Sequence, residues 1–217
     1  MDTNDLVNRT ILFVKQQLDH AEGGHDWFHI ERVYNNALSI LEKENGDVVV
    51  VKLAALLHDI ADSKFHQGDD TIGPRIAREF LESQKVDEKT IGQVVNIIEN
   101  ISYKGGAVDS PFHSQELEIV QDADRLDAIG AIGIARTFNY GGFKNRPLYN
   151  PAIAPKMNMT PQEYKNSTAP TVNHFYEKLL LLKDLMNTET GKQMAQKRHR
   201  FMETFLSQFY GEWEGKQ

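Results

Sequence analysis

Four polar residues of this sequence could bind one metal ion together: His29, His58, Asp59 and Asp124. Each lies beside a strongly apolar stretch, and an ionisable group near a hydrophobic core needs a partner that offsets the cost of its burial. One divalent cation would serve two imidazoles and two carboxylates at once. The sequence contains no cysteine, so disulfides and thiolate metal sites are excluded. Only His, Asp and Glu remain as side-chain ligands for a metal.

The spacing of these residues favours a catalytic metal site over a closed structural one. His58 and Asp59 are neighbours at the end of an apolar helix, so their side chains point about 100° apart. They can share one ion only from its flanks, which leaves coordination positions open for water and for a substrate oxygen. A set of two nitrogen and two oxygen ligands with open positions suits Mn, Fe, Co, Ni or Zn better than a calcium cage.

A simpler interpretation exists for each residue alone. A single buried His or Asp is more often a helix cap or a hydrogen-bonded core group than a metal ligand. A second His-Asp dipeptide, His25-Asp26, shows that the pair is weak evidence by itself. Asp122 competes with Asp124 as a ligand, and sequence spacing does not choose between them. The metal-site hypothesis therefore depends on the four positions taken together.

The elements that position these residues are predicted to be helices. Apolar residues at helical spacing indicate an all-α protein of about eight helices. His29 falls in the first turn of the second helix, and His58 and Asp59 end the third, DVVVVKLAALLHDI. Asp124 falls early in a sixth helix, which we expect to run from Glu116 to Arg136.

Helical spacing stops in the segment 137–170, which is rich in proline and glycine. We expect a long loop there, and such loops are often functional lids or disordered segments. Helices resume over 171–212. We predict a single domain, 1–217, with a metal-site core over about 24–140 and the C-terminal helices packed on it.

Composition limits the partners of the protein. The 217-residue chain has a formal net charge of −7, and an acidic surface binds nucleic-acid polymers poorly. A small phosphorylated substrate remains compatible if cations are concentrated in one pocket. No apolar run reaches the length of a bilayer, and the N-terminus lacks the features of a signal peptide, so we expect a cytoplasmic protein without membrane contact. Monomer and homodimer both stay open.

The ordered pattern H…HD…D resembles the HD-domain phosphohydrolase superfamily. The resemblance runs from about Gly24 to Tyr140 and is carried by four stretches in order: HDWFHIERV, LAALLHDIADSKFH, ISYKGG and VQDADRLDAIGAIGIARTF. It implies an all-α HD fold and one divalent ion on His29, His58, Asp59 and Asp124, which selects Asp124 over Asp122. It also implies hydrolysis of a phosphate ester or anhydride. Similar small bacterial members look like nucleotide pyrophosphohydrolases that prefer Mn.

We expect residues around the four ligands to assist catalysis, substrate binding and the orientation of the ligands. We expect Asp62 to orient or deprotonate the attacking water and Lys64 to assist catalysis beside it. Phosphoryl transfer needs charge neutralisation, so we expect basic residues to contact the substrate phosphates: Lys104, Arg125 and Arg146. His25 and Asp26 are candidates to orient a ligating imidazole, since such a ring usually donates its other N–H. For Asp26 the competing role is that of N-cap.

The leading hypothesis is a phosphohydrolase that converts nucleoside or deoxynucleoside triphosphates to monophosphates and pyrophosphate. It would use one divalent ion, with Mn favoured over Mg, Fe, Co, Ni or Zn. One alternative is an alarmone or cyclic-nucleotide hydrolase. An alternative of another class is a helical protein that binds metal or nucleotide without turnover.

Overall fold

A computed structural model describes residues 2–19, 26–61, 69, 71–101 and 112–216 of the chain. Every regular element in these ranges is helical, which confirms the prediction of an all-α protein. None of the helices there is both long and apolar enough to cross a membrane. The described ranges hold ten α-helices: α1 (Thr3–Gln17), α2 (Trp27–Leu41), α3 (Val48–Leu57), α4 (Ile72–Ser83), α5 (Glu88–Asn100), α6 (Gln115–Asp127), α7 (Gly130–Phe143), α8 (Pro161–Lys165), α9 (Asn173–Glu177) and α10 (Glu189–Trp213). A 3₁₀ helix over Leu179–Leu185 joins α9 to α10.

Aspartate side chains begin four of these helices. Asp2, Asp26, Asp47 and Asp87 accept hydrogen bonds from backbone amides in the first turns of α1, α2, α3 and α5. Each such cap stabilises its helix by about 1 kcal/mol, because it satisfies an amide that has no partner within the helix. The caps therefore fix where α2, which carries His29, and α3, which precedes His58 and Asp59, start.

Helix α3 forms in spite of four consecutive valines. Asp47 caps it through hydrogen bonds from the amides of Val49 and Val50, at 2.9 and 3.1 Å. Its residues are buried almost all round, and it packs against α1, α2 and α5. A β-branched run lowers helix propensity only slightly, and the burial of a helix that is apolar on every face outweighs that cost.

The chain divides into two compact units, Met1–Asp124 and Arg125–Gln217. In the first unit α3 lies centrally, and α4 packs on α5. In the second unit α10 packs on α7 and on the 3₁₀ helix, and Asp127 forms a buried ion pair with Arg136 at 2.5 Å. That both units belong to a single domain stays a prediction.

The predicted helix from Glu116 to Arg136 is two helices, α6 and α7. Gly130 has φ +76°, a left-handed conformation that interrupts the helix and that glycine adopts without strain. A Cβ atom on Gly133 would lie 2.2 Å from the carbonyl oxygen of Ala128, so the chain folds back too closely for any side chain there. Helical spacing alone does not show this break, because it continues across both helices.

The prediction of a continuous loop over 137–170 is wrong in two places, since α7 continues to Phe143 and the short helix α8 lies over Pro161–Lys165. Gly141 permits close packing within α7, because a Cβ there would meet the side chain of Thr171 at 2.2 Å. Beyond α7 the chain is tied down by backbone hydrogen bonds from Thr171 to Pro147 and from Val172 to Leu148, at 2.8 and 3.0 Å. Gly141 therefore serves packing within the second unit.

Candidate metal centre

Three parts of the first unit carry the four predicted ligands. His29 lies in the first turn of α2, His58 and Asp59 directly follow α3, and Asp124 lies in the last turn of α6. The ligand atoms of His29, His58 and Asp59 lie within 4.8 Å of one another, close enough to hold a metal ion. Asp124 adjoins the two histidines.

The distances between the ligand atoms fit donors that share one cation. Nε2 of His29 lies 3.9 Å from Oδ2 of Asp59 and 3.6 Å from Oδ1 of Asp124. Nε2 of His58 lies 4.0 Å from the same Oδ1 of Asp124. These separations exceed those of hydrogen bonds. Two donors bound at about 2.1 Å to one ion are at most about 4.2 Å apart, so the residues fit a shared divalent metal.

The ring of His58 is oriented for metal binding. Its Nδ1 lies 2.9 Å from the carbonyl oxygen of Ala55, and a carbonyl only accepts, so Nδ1 carries the proton and donates it. Nε2 is then left with a lone pair. This atom is buried and has no hydrogen-bond partner among the described residues. A buried nitrogen without a partner is costly in an ordinary core, whereas a metal ion would satisfy it.

Burial lowers the pKa of His58, and the nearby imidazole of His29 acts in the same direction, while Asp124 and Asp59 oppose the shift. The ring therefore stays neutral to a lower pH than an ordinary histidine does. A neutral imidazole is the form that binds metals, since the proton on Nε2 must be absent.

Asp124 is an aspartate of α6 that lies beside both histidines. Residues two positions apart on a helix point about 200° apart, so only one of this pair can face a given neighbour. The side chain of Asp124 is 40% exposed, whereas the side chains of His29 and His58 are 3% and 4% exposed. Asp122 is fully buried. The cluster thus has buried imidazoles, a partly exposed carboxylate at Asp59 and a more accessible one at Asp124.

Asp26 acts as the N-cap of α2. Its Oδ1 accepts a hydrogen bond from the backbone amide of His29 at 3.0 Å. This contact fixes the first turn of α2, and with it the position of His29. A role in orienting the imidazole ring stays a prediction for Asp26, and the other predicted residue of this kind, His25, lies outside the described residues.

The sequence analysis did not predict the contacts that hold the helices carrying the proposed ligands. Asn36 donates its amide to the carbonyl of Ala123 at 3.2 Å, which joins α2 to α6. Gln121 donates to the carbonyl of Asn100 at 3.0 Å, which joins α6 to α5. The spacing of Asn36, seven residues after His29 and on the same face of α2, could have indicated this role. The carbonyls of Ala123 and Asn100 could not be predicted as partners, because every residue has a carbonyl.

Two of the residues predicted to contact the substrate phosphates, Arg125 and Arg146, lie in the described part of the chain. The guanidinium of Arg125 donates to the carbonyl of Leu185. The guanidinium of Arg146 donates to the carbonyl of Ser167 and lies 5.7 Å from the ring centre of Tyr140. Both arginines thus have partners within the second unit, and their contact with substrate stays a prediction. Three further predicted residues lie outside the described residues: Asp62, Lys64 and Lys104.

Comparison with known proteins gives consistent matches. Residues 27–129 match the family model of the HD domain. The chain is 38% identical over 200 residues to the Bacillus subtilis protein YpgQ, covering 90% of this chain and 88% of YpgQ. The crystal structure of a Bacillus thuringiensis HD-superfamily hydrolase is 44% identical, with TM-score 0.80 over 98% of this chain and 99% of that one.

A crystal structure of Bacillus subtilis YpgQ in complex with ADP is also similar. Its TM-score is 0.77 at 35% identity, and the match covers 98% of this chain and 97% of that one. The likeness therefore extends over both compact units of the chain.

Proposed function

This chain belongs to the HD-domain superfamily, and we propose that it is a metal-dependent phosphohydrolase that acts on nucleotides. The observation that supports the proposal best is the buried Nε2 of His58, which has no hydrogen-bond partner in the described part of the chain and lies beside the carboxylate of Asp124. A cation bound there would offset the cost of burying this lone pair. The related Bacillus thuringiensis protein is described as a hydrolase.

We propose that one divalent ion, preferably Mn, is held by His29, His58, Asp59 and Asp124. When bound, the ion would polarise a phosphoryl oxygen and lower the pKa of a coordinated water. The protein's own contribution is to orient the ligands. The carbonyl of Ala55 holds the ring of His58 with Nε2 unprotonated. Asp26 holds the first turn of α2, which carries His29.

The proposed substrate is a nucleoside or deoxynucleoside triphosphate. The support is that YpgQ, similar along almost its whole length, was crystallised with ADP. In the proposed reaction, one water molecule attacks the α-phosphorus and the bond to the bridging oxygen of the β-phosphate breaks. The products are a nucleoside monophosphate and pyrophosphate. Asp62 would orient or deprotonate the water beside Lys64, and the phosphate charge would be met by Lys104, Arg125 and Arg146.

The test is a panel of phosphate esters and anhydrides given to the purified protein loaded with Mn²⁺, with identification of the products. We expect pyrophosphate from nucleoside triphosphates. Release of orthophosphate alone would contradict this cleavage, and activity only on alarmones or cyclic nucleotides would identify another substrate class. A protein that binds Mn²⁺ but turns over none of these compounds would be a binding protein and not an enzyme.

The metal ligands are tested by His58→Ala and Asp59→Ala. Each variant should lose stoichiometric Mn²⁺ and activity together, because each removes a donor that the ion needs. His113→Ala is a matched control, since His113 is exposed and lies outside the cluster. Retention of stoichiometric metal in both ligand variants would overturn the four-residue site.

A further inference from the structure

The side chain of Asn36 joins the two helices that carry His29 and Asp124. Its Nδ2 atom lies 3.2 Å from the carbonyl oxygen of Ala123, the residue immediately before Asp124. A carbonyl oxygen can only accept, so the group that faces it is the amide N–H of Asn36. The side chain on α2 is therefore tied to the backbone of α6 beside a proposed ligand.

Asn36 and His29 share one face of α2. They are seven residues apart, which is within about 20° of two complete helical turns. Both contact α6: the imidazole of His29 lies 3.6 Å from the carboxylate of Asp124, and the amide of Asn36 contacts the preceding carbonyl. One stripe of α2 thus meets two consecutive residues of α6.

The carboxylate of Asp124 has weaker restraints than the imidazoles of the cluster. His58 is held by burial and by the hydrogen bond to Ala55. The side chain of Asp124 is 40% exposed, so packing restrains it less and its position follows the backbone of α6. Two other hydrogen bonds that attach α6 to the first unit lie farther from Asp124: Gln121 donates to Asn100, and Glu116 accepts from the amide of Asp47.

We propose that Asn36 is a positioning residue of the metal site. By holding the carbonyl of Ala123, it keeps the carboxylate of Asp124 at the distance from His29 that a shared ion requires. This inference rests on the metal site of the proposed function. Residues that orient metal ligands at one remove commonly contribute tenfold or more to metal affinity.

The test is titration of the full-length protein with Mn²⁺, followed by the electron paramagnetic resonance signal of the free ion. Asn36→Leu keeps the approximate size of the side chain and removes the donor, and we expect it to raise the Kd for Mn²⁺ about tenfold. Asn35→Leu is the matched control, because Asn35 is the adjacent residue of the same type and is exposed. Its Kd should stay within about twofold of the wild type.

The Asn36→Asp variant separates the effect of ligand positioning on Mn²⁺ affinity from the effect of charge. It also provides a test if Asn36→Leu does not fold. A carboxylate is nearly isosteric with the amide but cannot donate to the carbonyl of Ala123. Its added negative charge would by itself strengthen cation binding, so weaker binding must come from lost positioning. We expect Asn36→Asp to bind Mn²⁺ more weakly than Asn35→Asp does.

The outcomes separate this inference from the proposed function. If His58→Ala loses Mn²⁺ while Asn36→Leu and Asn36→Asp bind within about twofold of the wild type, Asn36 is not a positioning residue. A reduced free energy of unfolding of the metal-free Asn36 variants with unchanged Kd would assign it a purely structural role and also overturn the inference. If His58→Ala binds as tightly as the wild type, the metal site itself is wrong.

Discussion

At the scale of single residues, the state of one imidazole determines what the cluster can bind. The hydrogen bond from Nδ1 of His58 to the carbonyl of Ala55 fixes the tautomer, and burial keeps the ring neutral. The lone pair on Nε2 is thereby available next to the carboxylate of Asp124. The other tautomer, with the proton on Nε2, would present an N–H to the cluster and could not bind a cation through that atom.

The first prediction separates the two aspartates of α6. Asp124→Asn should raise the Kd for Mn²⁺ by more than about tenfold, because an amide removes the negative charge that would face the ion. Asp122→Asn is the matched control, since it makes the same chemical change at a buried position that points away from Asp124 on the helix. Mn²⁺ titration of both variants provides the measurement. Loss of binding in Asp122→Asn alone would reverse the assignment.

At the scale of elements, the break between α6 and α7 determines where the helix that carries Asp124 ends. Gly130 leaves the helical conformation at φ +76°. Gly133 then packs against the backbone of Ala128, where no side chain fits. Because backbone atoms cannot move aside as a flexible side chain can, the turn depends on glycine at position 133.

The second prediction tests this turn with two glycines of α7. Gly133→Ala should lower the free energy of unfolding by about 2–3 kcal/mol, because the new Cβ would overlap the carbonyl of Ala128. Gly142→Ala should leave stability unchanged or raise it by up to about 1 kcal/mol, since nothing lies within 4 Å of its Cβ and alanine favours a helix. Urea denaturation of both variants measures the difference. Equal effects would contradict the assigned packing.

Much of the helical layout could be predicted from the sequence, and so could the proximity of the four proposed ligands. Burial of both faces explains why the valines of α3 form a helix and not a strand. The order of His29, His58, Asp59 and Asp124 indicated residues that the structure brings together. The break at Gly130 could not be predicted, because glycine is compatible with both a continuing helix and a left-handed turn.

The hydrogen bonds that position the cluster could not be predicted from the sequence either, because their acceptors are backbone carbonyls. Asn36 and His58 both donate to backbone carbonyls. Every residue has a carbonyl, so only the packing of α2 on α6 shows that Ala123 supplies the partner of Asn36. For the same reason, choosing Asp124 over Asp122 required a family resemblance or a structure.

At the scale of the whole molecule, the proposed ligands belong to one of two compact units. His29, His58, Asp59 and Asp124 lie in Met1–Asp124, while α6 continues past the boundary to Asp127. Each unit contains one of the two tryptophans of the chain. Trp27 begins α2 and lies under Lys15, and Trp213 ends α10 and contacts the ring of Tyr149.

The third prediction uses these tryptophans to test the single-domain expectation. A metal that binds only the folded state, supplied at about 100 times its Kd, raises the free energy of unfolding by about 2.7 kcal/mol. In Trp27→Phe and Trp213→Phe variants, Mn²⁺ should shift the fluorescence-detected unfolding transition by the same amount. His58→Ala in each background should abolish the shift. A shift reported by Trp27 alone would show that the units unfold separately.

The fourth prediction concerns the dependence of stability on pH. Burial lowers the pKa of His174 to about 3, and the charges of Lys178 and Arg146 act in the same direction. The folded state therefore keeps this ring neutral while the unfolded chain protonates it near pH 6.5. The contribution of His174 to stability is complete above pH 6.5 and is lost as the pH falls towards 3. The ring is partly exposed, so we expect a loss of about 1 kcal/mol between about pH 7 and pH 5.

His174→Gln should remove this part of the pH dependence, because glutamine does not titrate. His113→Gln serves as the control at an exposed histidine and should leave the dependence unchanged. Urea denaturation at several pH values between neutrality and pH 5 measures the slopes. If both variants keep the slope of the wild type, His174 is not buried in its neutral form.

The uneven exposure of the cluster has a kinetic consequence. The imidazoles of His29 and His58 are almost fully buried, whereas the carboxylate of Asp124 is 40% exposed. The side chain of Asp59 is 19% exposed, so Asp124 is the most accessible of the four proposed ligands. Its carboxylate would be the first of them to contact a cation from solvent and the last to release it. We expect Asp124→Glu, which retains the charge on a longer arm, to change the rate of Mn²⁺ transfer to a chelator in stopped-flow measurements more than Asp59→Glu does. Asp124 would then set the exchange lifetime of the ion.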